Sequence, residues 1–131
     1  GSGCGYQSAV LSHFANDVYA VERIKPLVLK SRENLSELKI RNVIVKHADG
    51  FNGWEEDLKF DGIICAAAPR QYPEELLDLL EVGGKLVIPV GLEGKQKLFV
   101  ITKQAETEYE EIVHEEVAFV PMLPGVSNGD V

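Results

Sequence analysis

The sequence predicts an α/β fold: a mostly parallel, doubly wound sheet that ends in an antiparallel hairpin. Three observations carry this. Strand-like apolar runs alternate with runs of helical spacing along most of the chain, the order that packs helices on both faces of a parallel sheet. Two of the runs, DGIICAAAP and GGKLVIPVG, are almost uninterruptedly apolar, as strands covered on both faces are. Beyond them the pattern changes to KLFVITKQ and EEIVHEEVAFV around AETE, β-branched runs on either side of a turn, which predict a hairpin.

The elements follow in order. The chain opens GSGCGYQSAV, a glycine loop that leads into a helix over Tyr6 to Ala15, with Val10, Leu11 and Phe14 on one face. VYAVE, Val18–Glu22, is a short β-rich run ending on an acid. From Ile24 to about Leu38 the spacing is helical again, with Leu27, Leu35 and Leu38 apolar; Pro26 suits a first turn. NVIVKHADG predicts a strand, Val43 to Lys46, and a turn. Pro69 and Pro73 bracket a loop. PEELLDLL is an amphipathic helix with acids in its first turn, where the helix dipole favours them. A glycine pair opens the next strand. The turn-rich end, MLPGVSNGDV, is expected to be loose, giving one domain over 1–125 and a tail over 126–131.

At 131 residues the chain has one domain's worth of core. Its net charge of −8 argues against a general nucleic-acid binder, which needs a basic surface. No apolar run approaches the ~20 residues that cross a bilayer, so no membrane partner is expected. Cys4 and Cys65 have no metal-ligand spacing and form no disulfide framework; a reducing cytoplasm is the simplest setting. His13, His47 and His114 are scattered and are expected to be structural or solvent-facing. Cys4 is expected to pack as a small residue, and Trp54 to anchor a short helix.

In doubly wound sheets the ligand sits at the carboxyl ends of the strands. Glycines at 1, 3 and 5 let the backbone approach a ligand closely, although such stretches are often only turns. Glu22 ends the next strand, 17 residues past Gly5. Its two oxygens match the two hydroxyls of a ribose, although a strand-end acid is commonly just solvated. Asp49-Gly50 ends the following strand, where the acid could accept from an adenine amino group or simply make a turn. Three successive strand ends suited to a nucleoside outweigh any one of them. A dinucleotide fingerprint wants G-x-G-x-x-G. Here the spacing is G-x-G-x-G, followed by Tyr6, which suits a ligand without a diphosphate, such as S-adenosyl-L-methionine.

GSGCGYQSAVL, VERI, HADGFNGW, FDGIICAAAP, GGKLVIPVG and VAFVPMLPG, in this order and spacing, resemble the protein-L-isoaspartate (D-aspartate) O-methyltransferase family over nearly the whole chain. The resemblance implies a Rossmann-like class I fold and methyl transfer from S-adenosyl-L-methionine to the α-carboxylate of L-isoaspartyl residues in damaged proteins. The ester then closes spontaneously to a succinimide. Carried over, Gly1, Ser2, Gly3 and Gly5 would line the methionine part of the cofactor. Glu22 would hold the ribose, with Arg23 beside it and Ile24 against the adenine face. Asp49 and Gly50 would meet the adenine edge. Ala66, Ala67, Ala68 and Pro69, with Pro89, Val90 and Gly91, would form the wall for the substrate peptide. No metal and no catalytic side chain are expected within the chain. Cys65 stands where family members often have Thr.

The family places a central strand just before the glycine loop, and further upstream a segment whose hydroxyl engages the substrate carboxylate. Neither is in this sequence. The chain is therefore expected to be a fragment whose strands ending at Glu22 and Ala66 expose unpaired edges, and which is inactive alone. A cloning scar at GSG is the alternative. The rival functions are a small-molecule methyltransferase on the same fold, a nicotinamide-dependent oxidoreductase, and an inactive cofactor-binding fragment.

Overall fold

The computed structural model describes residues 1–54 and 56–129. They form two compact units, one of Gly1–Gly50 with the chain from Pro124 onward, the other of Phe51–Leu123.

The first unit is a βαβ module preceded by a short helix: α1 (Tyr6–Leu11), β1 (Val18–Glu22), α2 (Lys25–Glu37) and β2 (Val43–His47). β1 and β2 pair in parallel, from Val18 opposite Val43 to Glu22 opposite His47. The pleat of β1 buries Val18, Ala20 and Glu22, because alternate residues share a face; Glu22 is thus carried onto the buried side. α2 buries Val28, Ser31 and Leu35, a spacing that keeps one helical face on the strands. Val28 and Leu35 pack with Ala20 and Val45 to form the core. Just past the C-cap of α2, Leu38, stands Lys39, in the left-handed region at φ 59. There the Lys39 and Ile40 amides, both at 3.0 Å, close on the Ser36 and Leu35 carbonyls, the paired cap that usually uses glycine.

The second unit opens with Trp54 buried. Its sheet runs β3 (Phe60–Ile64), β4 (Leu80–Val90), β5 (Gln96–Ala105) and β6 (Glu108–Val117), with α3 (Glu74–Asp78) between β3 and β4. β3 and β4 are parallel; β4, β5 and β6 are antiparallel. Leu76 and Leu77 of α3 pack on Leu80, Leu86, Ile88 and Ile101. α3 has no basic residue in its last turn. Lys59 Nζ instead donates to the Asp78 carbonyl, so a cation meets the negative end of the helix; the buried Lys103 reaches the Leu80 carbonyl, at the start of β4, at 3.1 Å.

Three expectations are corrected. The first helix stops at Leu11 rather than Ala15, and its apolar face is not buried: Phe14 is 83% and Val10 42% exposed. DGIICAAAP is not covered on both faces. Asp61 and Gly62 are exposed and Ile64 is 45% exposed. β4 begins at Leu80, ahead of the glycine pair, and its pairing to β3 shifts register between Phe60 and Gly62. Ser127 forms a parallel bridge with Ile24, its amide donating to Arg23 at 2.7 Å and its carbonyl accepting from Lys25 at 2.9 Å. Residues 130 and 131 of the expected tail lie outside the described residues.

Candidate functional site: the tips of β1 and β2

The pleat buries Glu22 to 4% exposure at the end of β1, and its carboxylate organises the surrounding backbone. Oε1 accepts from the Gly3 amide and Oε2 from the Ile24 amide, each at 2.9 Å. The Ser2 amide donates to the Val21 carbonyl at 3.1 Å and the Gly5 amide to the Ser2 carbonyl at 3.3 Å. One acid therefore ties the glycine loop to the start of α2. Each carboxylate oxygen has capacity for a further hydrogen bond.

Gly3 and Gly5 take φ of 59 and 93, where a side chain is strained. Around Gly3 the space is open: no heavy atom lies within 4 Å of where a Cβ would stand. Under Gly5 it is closed, because a Cβ there would sit 2.7 Å from Ser31 Oγ. Ser2 Oγ and Arg23 Nε are buried without a hydrogen-bond partner among the described residues, polar groups whose desolvation is uncompensated.

The tip of β2 joins the same place. The Ala48 amide donates to the Glu22 carbonyl at 3.1 Å. His47 Nε2 lies 2.9 Å from the Arg23 carbonyl and 3.1 Å from that of Ser127. Both partners only accept, so Nε2 carries the proton. Asp49 Oδ2 accepts from the Gly125 amide at 2.8 Å. Gly1, Ser2, Gly3, Gly5, Glu22, Arg23, Ile24, Asp49 and Gly50 are thus assembled within one unit. An open carboxylate capacity, an open face at Gly3 and an orphaned Ser2 hydroxyl fit a ligand with vicinal hydroxyls and a charged tail. A separate cavity of about 510 Å³, lined by Arg32, Leu35, Lys39, Arg41 and Val43 among others, includes none of these residues.

In the second unit, the segments expected to form a wall also meet. Ala67, Ala68 and Pro69 are buried. The Gly91 amide donates to the Pro69 carbonyl at 2.9 Å. Gly91 has φ 133, and a Cβ there would stand 2.5 Å from the Lys95 carbonyl, so no side chain is tolerated. Ala68 forms a parallel bridge with Pro121, and Gln96, buried in β5, clasps Phe119 through both ends of its amide, at 2.8 and 3.0 Å. Burial pushes the Cys65 thiol up to about 11, so it stays neutral near pH 7 and is a poor nucleophile. Cys4 is exposed. Among the described residues no group of three His, Cys, Asp or Glu could hold a metal ion, and no helix is long and apolar enough to cross a membrane.

Sequence reasoning missed Asn34, whose Nδ2 donates to the Cys4 carbonyl at 3.0 Å. It also missed Gly125 and Ser127, which with His47 brace the strand tips, and Gln96. A signal existed for one region: Ser31 and Asn34 interrupt the apolar stripe of α2 between Val28 and Leu35.

A Methylobacillus flagellatus protein-L-isoaspartate O-methyltransferase is 50% identical over 130 residues, covering 97% of this chain and 58% of the relative. One from Marinobacter nauticus is 49% identical over 126 residues, covering 96% and 57%. The chain thus spans somewhat over half the length of these curated relatives. A solved Plasmodium falciparum protein, described as a protein-L-isoaspartate O-methyltransferase in complex with S-adenosyl-L-homocysteine, superposes with a TM-score of 0.73 at 33% identity, over 94% of this chain and 63% of that one. Another solved protein-L-isoaspartate O-methyltransferase gives 0.85 at 27% identity, over 92% of this chain and 39% of its own. The family model for protein-L-isoaspartate(D-aspartate) O-methyltransferase matches residues 1–127, and the chain belongs to that family.

Proposed function

We propose that the protein carrying this chain transfers a methyl group from S-adenosyl-L-methionine to the α-carboxylate of L-isoaspartyl and D-aspartyl residues in damaged proteins, within a reducing cytoplasm. The observation that supports it most is the Glu22 carboxylate, which gathers the glycine loop and the start of α2 at one strand tip, in a chain of this family.

In this reading Gly1, Ser2, Gly3 and Gly5 hold the amino-acid end of the cofactor, and Glu22 the ribose hydroxyls. Arg23 and Ile24 flank the adenosine, with Ile24 on the adenine face and Asp49 and Gly50 at its edge. Ala66, Ala67, Ala68 and Pro69, with Pro89, Val90 and Gly91, bear on the substrate peptide. The cofactor, when bound, supplies a methyl group on a sulfonium that departs as a neutral thioether. An isoaspartyl α-carboxyl has a pKa near ~3.5, so the nucleophile is already ionised at neutral pH. No side chain need move a proton. The residues instead hold and orient the two partners, a contribution of up to ~7–11 kcal/mol in favourable cases.

The test is methyl transfer by the full-length protein to an isoaspartyl peptide and to its normal aspartyl counterpart. Base-labile methyl ester on the isoaspartyl peptide alone is expected. Equal labelling of both peptides, labelling of small-molecule acceptors only, or a requirement for a nicotinamide cofactor would reject the reading.

A further inference from the structure

We propose that α2 carries two positioning residues for the glycine loop, Asn34 and Ser31, which set affinity for the amino-acid end of the cofactor and leave the adenosine end untouched. The proposal rests on the assignment above of Gly1–Gly5 to the methionine part and of Glu22 to the ribose.

A glycine-rich loop loses more conformational freedom on ordering than any other sequence, so its shape must be imposed from outside. Glu22 imposes it from the strand side, through the Gly3 amide. α2 imposes it from the helix side. Asn34 Nδ2 holds the Cys4 carbonyl at 3.0 Å, while the Gly5 amide is bonded to the Ser2 carbonyl at 3.3 Å. The peptide between Cys4 and Gly5 is therefore fixed at both its oxygen and its hydrogen. Ser31 lies on the same helical face, three residues before Asn34. It has no exposed surface, and the loop passes so close that a Cβ on Gly5 would stand 2.7 Å from its Oγ. That hydroxyl has no hydrogen-bond partner among the described residues. What matters at position 31 is thus the small size of the side chain, which lets Gly5 settle against the helix. Both residues act through the backbone, upstream of any contact with a ligand.

The experiment measures dissociation constants of the full-length protein for two probes, S-adenosylhomocysteine and adenosine, by calorimetric titration and competition. Asn34→Asp keeps the shape but presents no donor to the Cys4 carbonyl. It is expected to weaken S-adenosylhomocysteine about fivefold to tenfold and to leave adenosine within about twofold. Asn34→Ala carries the same expectation and decides the matter if the aspartate variant does not fold. Ser31→Ala is expected to bind both probes as the parent does, and Ser31→Val to lose affinity for S-adenosylhomocysteine selectively. A loss that is equal for both probes is the mark of general destabilisation and overturns the proposal, as does no loss for either. A parent protein that binds neither probe overturns the cofactor reading itself, and the proposal with it.

Discussion

Glu22 is a buried acid that spends both oxygens on backbone amides. A carboxamide at this position has only one acceptor end, so one amide would face an N–H. Glu22→Gln is therefore expected to lower the unfolding free energy by about 1–3 kcal/mol, measured by urea denaturation, and to weaken S-adenosylhomocysteine binding alongside. Tyr72 gives a pH-dependent counterpart. Its hydroxyl donates to Glu111, and that bond, with lesser help from burial and from the charges of Glu111 and Glu74, raises its pKa to about 12. The folded value lies above the ordinary tyrosine value of 10.0. The contribution to stability is thus fully present below about pH 10 and fades as the pH rises from there toward 12. A spectrophotometric titration should show one late-ionising tyrosine, and Tyr72→Phe should remove it. If all tyrosines ionise together near pH 10, the bond to Glu111 is not made in solution.

At the scale of elements, α2 does more than join two strands. Its buried face packs on β1 and β2, its Ser31–Asn34 pair meets the glycine loop, and its Arg32 Nη2 donates to the Val45 carbonyl at 2.7 Å. Its weak point is the cap. Lys39 stands in the left-handed region, where a side chain costs about 1 kcal/mol that glycine avoids. Lys39→Gly is expected to raise the thermal midpoint, with a gain of up to about 1 kcal/mol; a lowered midpoint would show that the lysine makes compensating contacts. β6, the last strand of its sheet, is protected differently. Glu108, Glu110, Glu111, Glu115 and Glu116 are all exposed, and a charged edge resists pairing with other chains.

For the molecule as a whole, a ligand gripped by the folded strand tips must stabilise the fold by mass action. Saturating S-adenosylhomocysteine, at about a hundredfold excess over its dissociation constant, is expected to add about 2.7 kcal/mol, read as a rise in the thermal midpoint that NADH does not reproduce. Much of the architecture was legible beforehand. β1 lies where VYAVE placed it, and the hairpin of β5 and β6 turns at the AETE stretch, because side-chain alternation and turn chemistry are written within a few neighbouring residues. What was not legible depends on partners far along the chain. The apolar spacing of Val10, Leu11 and Phe14 is real, yet whether that face is covered cannot be read from the spacing. Ser127 meets His47 across 80 positions and Asn34 meets Cys4 across 30, and no local pattern announces either. The sequence by itself determined the order of strands and helices and the placing of Glu22 and Asp49 at strand ends, since backbone sterics and apolar periodicity act locally. Only the tertiary structure decided that Glu22 would bind the Gly3 and Ile24 amides, that α2 would hold the loop and that the chain end would brace the strand tips. Hydrogen bonds of a few ångströms between distant residues exist only once the chain has folded.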